Sequence, residues 1–453
     1  MSVRPVRLRA RWIIPITSAP IANGAVLVGE DGRVAAVGPD ASVPRGGDVP
    51  SRDLGDVAIM PGLVNAHTHL ELMALRGLVQ DRPFTRWITQ IKRLKDRLAA
   101  DVYRASARWG VLESFAAGMT TIGDTGSSGE PARAMADLGA RGVAFHEVFG
   151  PDPAQAAGVM DELRRTLREL DRLASDRLAI GVSPHAPYTV SEQLLHAVGA
   201  LAREDARKVA IHVAESREEW DFIVEGRGRF AEQLRGRSIH VPVHGISPVA
   251  WALRGLGGTQ PLLIHCVHAD AEDFRAIARA LATVAHCPCS NAALYNGHAN
   301  LVAMQECGVK LGLGTDSVAA GNALDLFAEA RLAGMSSQVD PRRQLRLITA
   351  DAADALGVTG AGRIEPGAWG DLIAVVPKGR GFATFGDPEG ALAGGADAGS
   401  VKATWVAGRA VYEEREWPGV DWQSEREAFA RAADTASAER ALLAAEGVLR
   451  ISS

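Results

Sequence analysis

Two histidines, His67 and His69, stand two residues apart at the end of an apolar run. If this run is a β-strand, the alternation of its side chains turns both imidazoles to the same side. His212, His265 and Asp316 also follow apolar runs further along the chain. Imidazoles together with one carboxylate form a ligand set that zinc and ferrous iron accept, with a position left for water. The set indicates a metal site, whereas an isolated His-x-His would more often be two hydrogen-bonded core histidines.

The residues around these histidines have simpler interpretations when each is taken alone. Glu215 follows His212 and could be a solvated loop acid, and Asp316 could cap a helix that begins at Ser317. Their common position after predicted strands favours catalysis over these readings. Cys287 and Cys289 are predicted to pack rather than to bind metal, and His146-Glu147 lacks the second histidine of a zinc-protease helix.

Eight apolar runs alternate with helical patterns, which is typical of βα units in a parallel sheet. The runs cover residues 62–69, 120–124, 143–149, 179–185, 209–213, 262–267, 283–287 and 310–315. Eight strands suffice to close a barrel, so the fold class we predict is α/β, a (β/α)8 TIM-type barrel. Barrel enzymes keep their active sites at the carboxyl ends of the strands, where the histidines and acids would meet.

Short strand patterns flank the barrel at both ends of the chain. Residues 24–30 and 33–38 surround an Asp31-Gly32 turn and predict a hairpin, and two further strand patterns lie at 371–376 and 401–412. We expect residues 1–60 and 363–418 to form a composite β-sandwich domain, residues 61–362 the barrel, and residues 419–453 a helical tail. The glycine-rich segment 386–399 predicts a loop.

Composition narrows the class of partner. The 453 residues carry a formal net charge of -5 without a long Lys/Arg run, which argues against nucleic acid and favours a small-molecule substrate. Pro15 and Pro20 interrupt the first apolar stretch and no run reaches the length of a membrane span, so we expect a cytoplasmic protein. Four cysteines do not indicate disulfide stabilisation. A homo-oligomer is left open.

The motifs together resemble those of a known superfamily. Pro61-Gly-Leu-Val-Asn-Ala-His-Thr-His-Leu-Glu resembles the strand-one signature of the amidohydrolase superfamily. The later motifs resemble its nucleobase and nucleoside deaminase branch, which includes S-adenosylhomocysteine/methylthioadenosine deaminase, aminodeoxyfutalosine deaminase and cytosine deaminase. They are Ser183-Pro-His-Ala-Pro-Tyr-Thr-Val-Ser, His212-Val-Ala-Glu-Ser, His265-Cys-Val-His, His286-Cys-Pro-Cys-Ser-Asn and Gly312-Leu-Gly-Thr-Asp-Ser.

This resemblance implies a role for each matching residue. The metal ligands would be His67, His69, His212 and Asp316. Glu215 would be the proton shuttle, His265 would help polarise the attacking water or the leaving amine, Asp316 would also orient the water, and His185 would contact the substrate. No lysine stands on the fourth strand to be carboxylated, so we expect one divalent ion, zinc first and iron as the alternative.

The substrate depends on loops, which the sequence determines least. Trp87 and Asp96 resemble the segment that closes over the nucleoside in methylthioadenosine-type deaminases, with Asp96 in place of the usual glutamate. His286 is expected to contact the substrate or to lie just behind the site, and residues 225–261 could be a lid. We rank an adenine nucleoside such as methylthioadenosine, S-adenosylhomocysteine or aminodeoxyfutalosine first. The alternatives are hydrolysis of a cyclic amide, formimino or triazine compound, and a non-catalytic scaffold paralogue.

Overall fold

Five strands precede the barrel, and two of them form the predicted hairpin. The computed structural model describes residues 4–45, 49–80, 83–320, 323–377, 382 and 386–446. The strands are β1 (Val6–Ile13), β2 (Ile21–Val28), β3 (Val34–Pro39), β4 (Ser51–Asp53) and β5 (Ala58–Pro61). β2 and β3 pair antiparallel, as the Asp31-Gly32 turn predicted. Gly32 has a φ of 73°, and a Cβ there would lie 2.8 Å from the Cβ of Ala407, so the turn requires glycine.

Eight parallel strands follow in two four-stranded sheets. They are β6 (Leu63–Thr68), β7 (Met119–Gly126), β8 (Arg141–Val148), β9 (Leu178–Pro184), β10 (Ala210–Val213), β11 (Leu262–His265), β12 (Thr283–His286) and β13 (Lys310–Leu313). Single parallel bridges connect the sheets, one between Val182 and Val209 and one between Thr68 and Asp316. All eight predicted strands are therefore present within a few residues of their apolar runs, and their carboxyl ends point the same way.

Three strands near the C-terminal end complete the first sheet. They are β14 (Leu372–Val375), β15 (Val401–Val406) and β16 (Arg409–Glu413). The sheet has the order β16-β15-β14-β5-β1-β2-β3, with β4 beside β1. Described strands from both ends of the chain thus share one sheet, whereas the sandwich arrangement and the domain boundaries stay predictions.

Helices separate the strands and cover the barrel. They are α1 (Phe84–Lys95), α2 (Ala100–Ala116), α3 (Glu130–Leu138), α4 (Ala156–Leu170), α5 (Glu192–Glu204), α6 (Arg217–Glu225), α7 (Arg229–Arg235), α8 (Pro248–Gly255), α9 (Ala271–Arg279), α10 (Pro288–Ala293), α11 (Leu301–Glu306), α12 (Leu326–Ser337), α13 (Pro341–Leu347), α14 (Ala350–Leu356), α15 (Pro388–Gly395) and α16 (Trp422–Ala445). Within the described ranges, no helix combines the length and the apolar character needed to cross a bilayer.

One loop prediction was wrong. Residues 386–399 contain α15, because Asp387 caps the helix by accepting a hydrogen bond from the Glu389 N–H and Pro388 occupies its first turn. These local signals outweigh the glycines of the segment.

A buried ion pair connects the barrel to the terminal sheet. Arg141, at the start of β8, donates to Asp371, just before β14, with Nε and Oδ2 2.6 Å apart. Both side chains are 1% exposed, and the guanidinium also lies 3.8 Å from the centre of the Trp369 ring. Because removal of either partner would leave a buried charge uncompensated, this pair fixes the sheet against the base of the barrel.

Candidate metal centre

Four predicted ligands bring their donor atoms together at the carboxyl ends of β6, β10 and β13. The Nε2 atoms of His67 and His69 each lie 3.4 Å from Asp316 Oδ1. The Nε2 atom of His212 lies 3.3 Å from that of His69. These side chains come from distant parts of the sequence and are buried or nearly so, which places four donors around one point.

Backbone carbonyls orient two of the rings. His69 Nδ1 lies 2.8 Å from the carbonyl of Thr125, and His212 Nδ1 lies 2.9 Å from the carbonyl of His185. Each Nδ1 therefore carries the hydrogen and donates it, which leaves the Nε2 lone pair for a metal. Burial lowers the pKa of His69 to about 3 and holds the pKa of His212 well below its usual value, so both rings stay neutral.

The spacing of these atoms fits one small divalent ion. A tetrahedral ion with bonds of about 2.05 Å separates its ligand atoms by about 3.3 Å, and three of the separations among the four donor atoms are 3.3–3.4 Å. Both ring nitrogens of the buried His67 have no hydrogen-bond partner among the described residues. Buried polar atoms are rarely left in this state, so the donor set and its geometry both suit a bound metal.

Three residues that follow or end strands near the ligand cluster have left-handed backbone conformations. Ala214, His265 and Asp316 have φ angles of 52°, 77° and 54°, which are costly for residues other than glycine and recur at functional sites. Gly314 lets β13 approach β6, because a Cβ there would lie 2.7 Å from the backbone nitrogen of His67. The approach of these two strands brings Asp316 to the histidines.

Hydrogen bonds hold the Asp316 carboxylate in place. Ser290 donates its hydroxyl to Oδ2, and the Ser317 N–H donates to Oδ1 at 2.6 Å. Burial alone would raise the pKa of Asp316, but the interactions with His67, His265 and His69 together outweigh it and hold the pKa well below its usual value. Asp316 is therefore ionised, which is the form in which a carboxylate can bind a metal. Ser290 belongs to the motif that begins at His286, but the sequence alone does not indicate its hydrogen bond to Asp316.

Glu215 lies beside this cluster with two polar neighbours. Its Oε1 accepts a hydrogen bond from Asn296 Nδ2 at 3.3 Å and lies 3.7 Å from His265 Nε2. Burial, and then the charge of Asp316, raise the pKa of Glu215 well above its usual value. Burial lowers the pKa of His265 to about 3. A carboxyl group with a raised pKa can both accept and return a proton near neutral pH.

A second glutamate, which sequence reasoning missed, fixes the loop that bears Glu215. The buried Glu219 accepts hydrogen bonds from the N–H groups of Ala214 and Glu215 at 2.8 and 3.0 Å. Ser216 in turn caps α6 by accepting from the Glu219 N–H. The Ser-x-x-Glu spacing, which is typical of a helix start, is the signal that could have indicated this anchor.

A cavity of about 750 Å³ opens next to the metal-ligand cluster. Aromatic side chains from α1, α7 and the loop after β9 line one wall, and the rings of Tyr188 and Phe230 stack with centroids 4.1 Å apart. Trp87 joins this wall and donates its Nε1 hydrogen to the carbonyl of Ala319 at 3.1 Å. Phe230 belongs to the segment 225–261, whose function as a lid stays a prediction.

The remaining predicted substrate contacts occupy different places. His185 lines the cavity, with Nδ1 2.8 Å from the Thr189 hydroxyl. Asp96 lies at the cavity rim, where its side chain is 59% exposed and forms an ion pair with Lys92. His286 is buried with Nδ1 3.1 Å from the His265 carbonyl, and it is not among the described residues that line the cavity. Its position favours support of His265 over direct contact with substrate.

No cysteine belongs to the groups of possible metal ligands among the described residues. All four are free thiols, and burial raises the pKa of both Cys287 and Cys289. The backbone N–H of Cys289 donates to Glu329 Oε2 at 2.8 Å. Protonated thiols are poor ligands, which supports the packing interpretation.

Parallel strands that present three histidines and an aspartate around one point, with a buried acid beside them, define a metal-dependent barrel hydrolase. The sequence pattern of the Amidohydrolase family matches residues 58–411. The chain belongs to this family.

Proteins similar to this chain indicate which part of the Amidohydrolase family it resembles. The chain is 33% identical to a 5-methylthioadenosine/S-adenosylhomocysteine deaminase of Halobacterium salinarum, over 92% of this chain and 95% of the relative. It is 32% identical to a 5'-deoxyadenosine deaminase of Methanothermobacter thermautotrophicus, over 78% and 81%. Among solved structures, an adenosine deaminase of Xanthomonas campestris with bound zinc is similar with a TM-score of 0.80, 25% identity, and coverage of 96% of this chain and 98% of that one.

Proposed function

We propose that this protein is an aminohydrolase that removes the exocyclic amino group of an adenine nucleoside with the help of one divalent metal ion. The observation that supports this most is the shared cavity, in which the histidine and aspartate cluster, Glu215 and an aromatic wall face one space. The relatives named for deaminases of adenosine derivatives support the choice of substrate class.

The ion would be held by the four clustered side chains, His67, His69, His212 and Asp316. When bound, such an ion supplies Lewis acidity and lowers the pKa of water at the site toward neutrality. We propose zinc rather than iron, because the nitrogen-rich set suits zinc and the similar adenosine deaminase contains it.

Glu215 moves the protons in the proposed reaction. It accepts a proton from the attacking water and delivers it to the ring nitrogen next to the carbon that bears the amino group. This protonation makes the carbon electrophilic, and the hydroxide that remains after the water has lost its proton adds to it. Asn296 and His265 hold the carboxyl group of Glu215 in position, and Asp316 accepts a hydrogen bond that orients the water.

The adduct then collapses. The tetrahedral ring carbon bears a hydroxyl and an amino group. Glu215 takes the proton of this hydroxyl and gives it to the amino group, which makes ammonia the leaving group. A ring carbonyl remains, so the balance is nucleoside plus water to deaminated nucleoside plus ammonia. The aromatic wall packs against the base, and His185, whose Nδ1 is engaged by Thr189, has Nε2 left for a hydrogen bond to it.

We also propose how the sheets form domains and in which compartment the protein acts. We propose that the two four-stranded sheets act as one closed barrel, and that the terminal sheet with its β-sandwich partners forms a composite domain. We place the enzyme in the cytoplasm, a compartment that suits its four free thiols. A homo-oligomer stays a prediction.

Product analysis tests the function. The zinc-loaded protein is incubated with a panel of purine and pyrimidine bases and nucleosides, and ammonia and the ultraviolet spectrum are measured. We expect ammonia together with the spectral change from adenine to hypoxanthine for at least one adenine nucleoside. Ring opening without ammonia would refute deamination and favour a cyclic-amide substrate. A protein without bound metal or turnover would favour the scaffold alternative.

A further inference from the structure

Part of the cavity wall is charged, and no predicted site residue accounts for it. Lys95, at the end of α1, lies with Nζ 3.2 Å from Glu71 Oε1. The Glu71 side chain is fully buried and also accepts hydrogen bonds from the N–H and hydroxyl groups of Ser127 and Ser128. Glu71 is thus saturated with donors, whereas the Lys95 ammonium has three hydrogens and uses one of them on Glu71.

Glu147 lies in the same wall without a comparable set of donors. It is near the end of β8, its side chain is 1% exposed, and it lines the cavity. Its Oε1 has no hydrogen-bond partner among the described residues. A buried carboxyl oxygen without a donor is unusual in a folded protein and indicates that a ligand supplies the missing hydrogen.

A second metal ion is a poor explanation for Glu147. Its nearest candidate co-ligands are His185 and His212. However, His212 Nδ1, which lies 4.0 Å from Glu147 Oε1, already donates to the His185 carbonyl. His185 Nδ1 is similarly engaged with the Thr189 hydroxyl. Since both Nδ1 atoms are committed to hydrogen bonds and His212 Nε2 faces His69, His185 Nε2 is the one histidine lone pair of this group left for an ion, which is too few.

We propose that Glu147 and Lys95 bind the sugar hydroxyl groups of the substrate, an inference that rests on the proposed nucleoside deaminase function. A hydroxyl both donates and accepts, so it can donate to Glu147 and accept from Lys95. Lys95 is already paired with Glu71, and the buried carboxyl group of Glu147 in the cavity wall disfavours a phosphate or carboxylate. The ammonium of Lys95 in turn disfavours a cationic group. A neutral hydroxylated group satisfies both side chains.

This assignment replaces Asp96 as the residue that selects the sugar. Asp96 follows Trp87 by nine positions, which is about half a turn away at 100° per residue, and its side chain points largely to solvent beside Lys92. Lys95 follows Trp87 by eight positions and lies nearer the cavity face, with its side chain 18% exposed. The fold therefore brings Lys95, and not Asp96, into the interior wall.

The test compares two substrates with two enzymes. Adenosine and 2′,3′-dideoxyadenosine are assayed with the zinc-loaded wild type and with Glu147→Gln. For the wild type, we expect loss of the hydroxyls to lower kcat/KM at least about tenfold. Glu147→Gln should lower kcat/KM for adenosine by about 10-fold to 100-fold, mainly through KM, and change it less than about threefold for the dideoxy substrate. Zinc content should be unchanged.

Matched variants separate recognition from folding. Asp96→Asn should leave both substrates within about threefold of wild type, and Lys95→Gln should repeat the substrate-dependent loss if Glu147→Gln does not fold. Equal losses on both substrates in every folded variant would overturn the inference, and so would a wild type that is indifferent to the hydroxyls. Absence of ammonia from every adenine nucleoside with the wild type would instead overturn the proposed function.

Discussion

Replacement of Glu215 by glutamine separates proton transfer from every other property of the site. Glutamine has nearly the same shape, and its side-chain oxygen can still accept the hydrogen bond that Asn296 Nδ2 makes at 3.3 Å. The four proposed metal ligands are untouched. The amide cannot accept and return a proton near neutral pH, so only this function is lost.

The expected effect follows from that loss. A positioned general acid and base contributes about 10²-fold to 10⁴-fold to a rate, which corresponds to about 3–5 kcal/mol in the activation free energy. We therefore expect Glu215→Gln to lower kcat for adenosine deamination by two to four orders of magnitude, with one zinc per chain retained and with KM changed much less.

The assay combines ammonia release at saturating adenosine with elemental analysis and a thermal melt. Glu218→Gln is the matched control, because Glu218 is a half-buried acid on α6, the helix that follows Glu215, and we expect it to retain wild-type kcat. A Glu215→Gln enzyme that holds its zinc and turns over within tenfold of wild type would refute the assigned role.

Two further substitutions test the framework. Gly314→Ala should lower the free energy of unfolding by about 1–3 kcal/mol and weaken zinc binding, because the new Cβ would lie 2.7 Å from the backbone of His67. In the same urea denaturation, the control Gly158→Ala should be neutral or stabilising, because its Cβ meets nothing within 4 Å. Equal behaviour of the two variants would contradict the packing argument. For Glu329, burial raises the pKa to about 8 in the folded protein from 4.5, so the folded form binds the proton more tightly and stability falls as the pH rises through this interval. Glu329→Gln should therefore gain roughly 3 kcal/mol relative to wild type between pH 5.5 and pH 8, and a stability difference that does not change with pH would rule this out.

Most of the barrel could be predicted from the sequence, because buried parallel strands are short apolar runs and polar residues at their ends are conspicuous. His67 and His69 are an example, since strand alternation alone turns both rings to one side. The hairpin at Asp31-Gly32 was equally clear. In these places local pattern and tertiary structure agree.

The charged wall could not be predicted in the same way. Glu147 also lies near the end of a predicted strand, but a glutamate there is usually solvated, and its burial depends on residues far away in the sequence. Asp96 and Lys95 are adjacent, and only the helix geometry around Trp87 determines which of them enters the cavity. Ser290 in the short helix α10 and Asn296 in the loop after it approach Asp316 and Glu215. No periodic pattern specifies the course of such short connecting segments.

The central claim is that side chains from three strand ends bind one metal ion. The position of that ion tests this claim most directly. A crystal of the zinc-loaded protein, measured at the zinc absorption edge, should show one anomalous peak about 2.0–2.2 Å from Nε2 of His67, His69 and His212 and from an Asp316 carboxylate oxygen. His69→Ala crystals should lose most of that peak. A peak at any other set of side chains, or one that is undiminished in His69→Ala, would contradict the account.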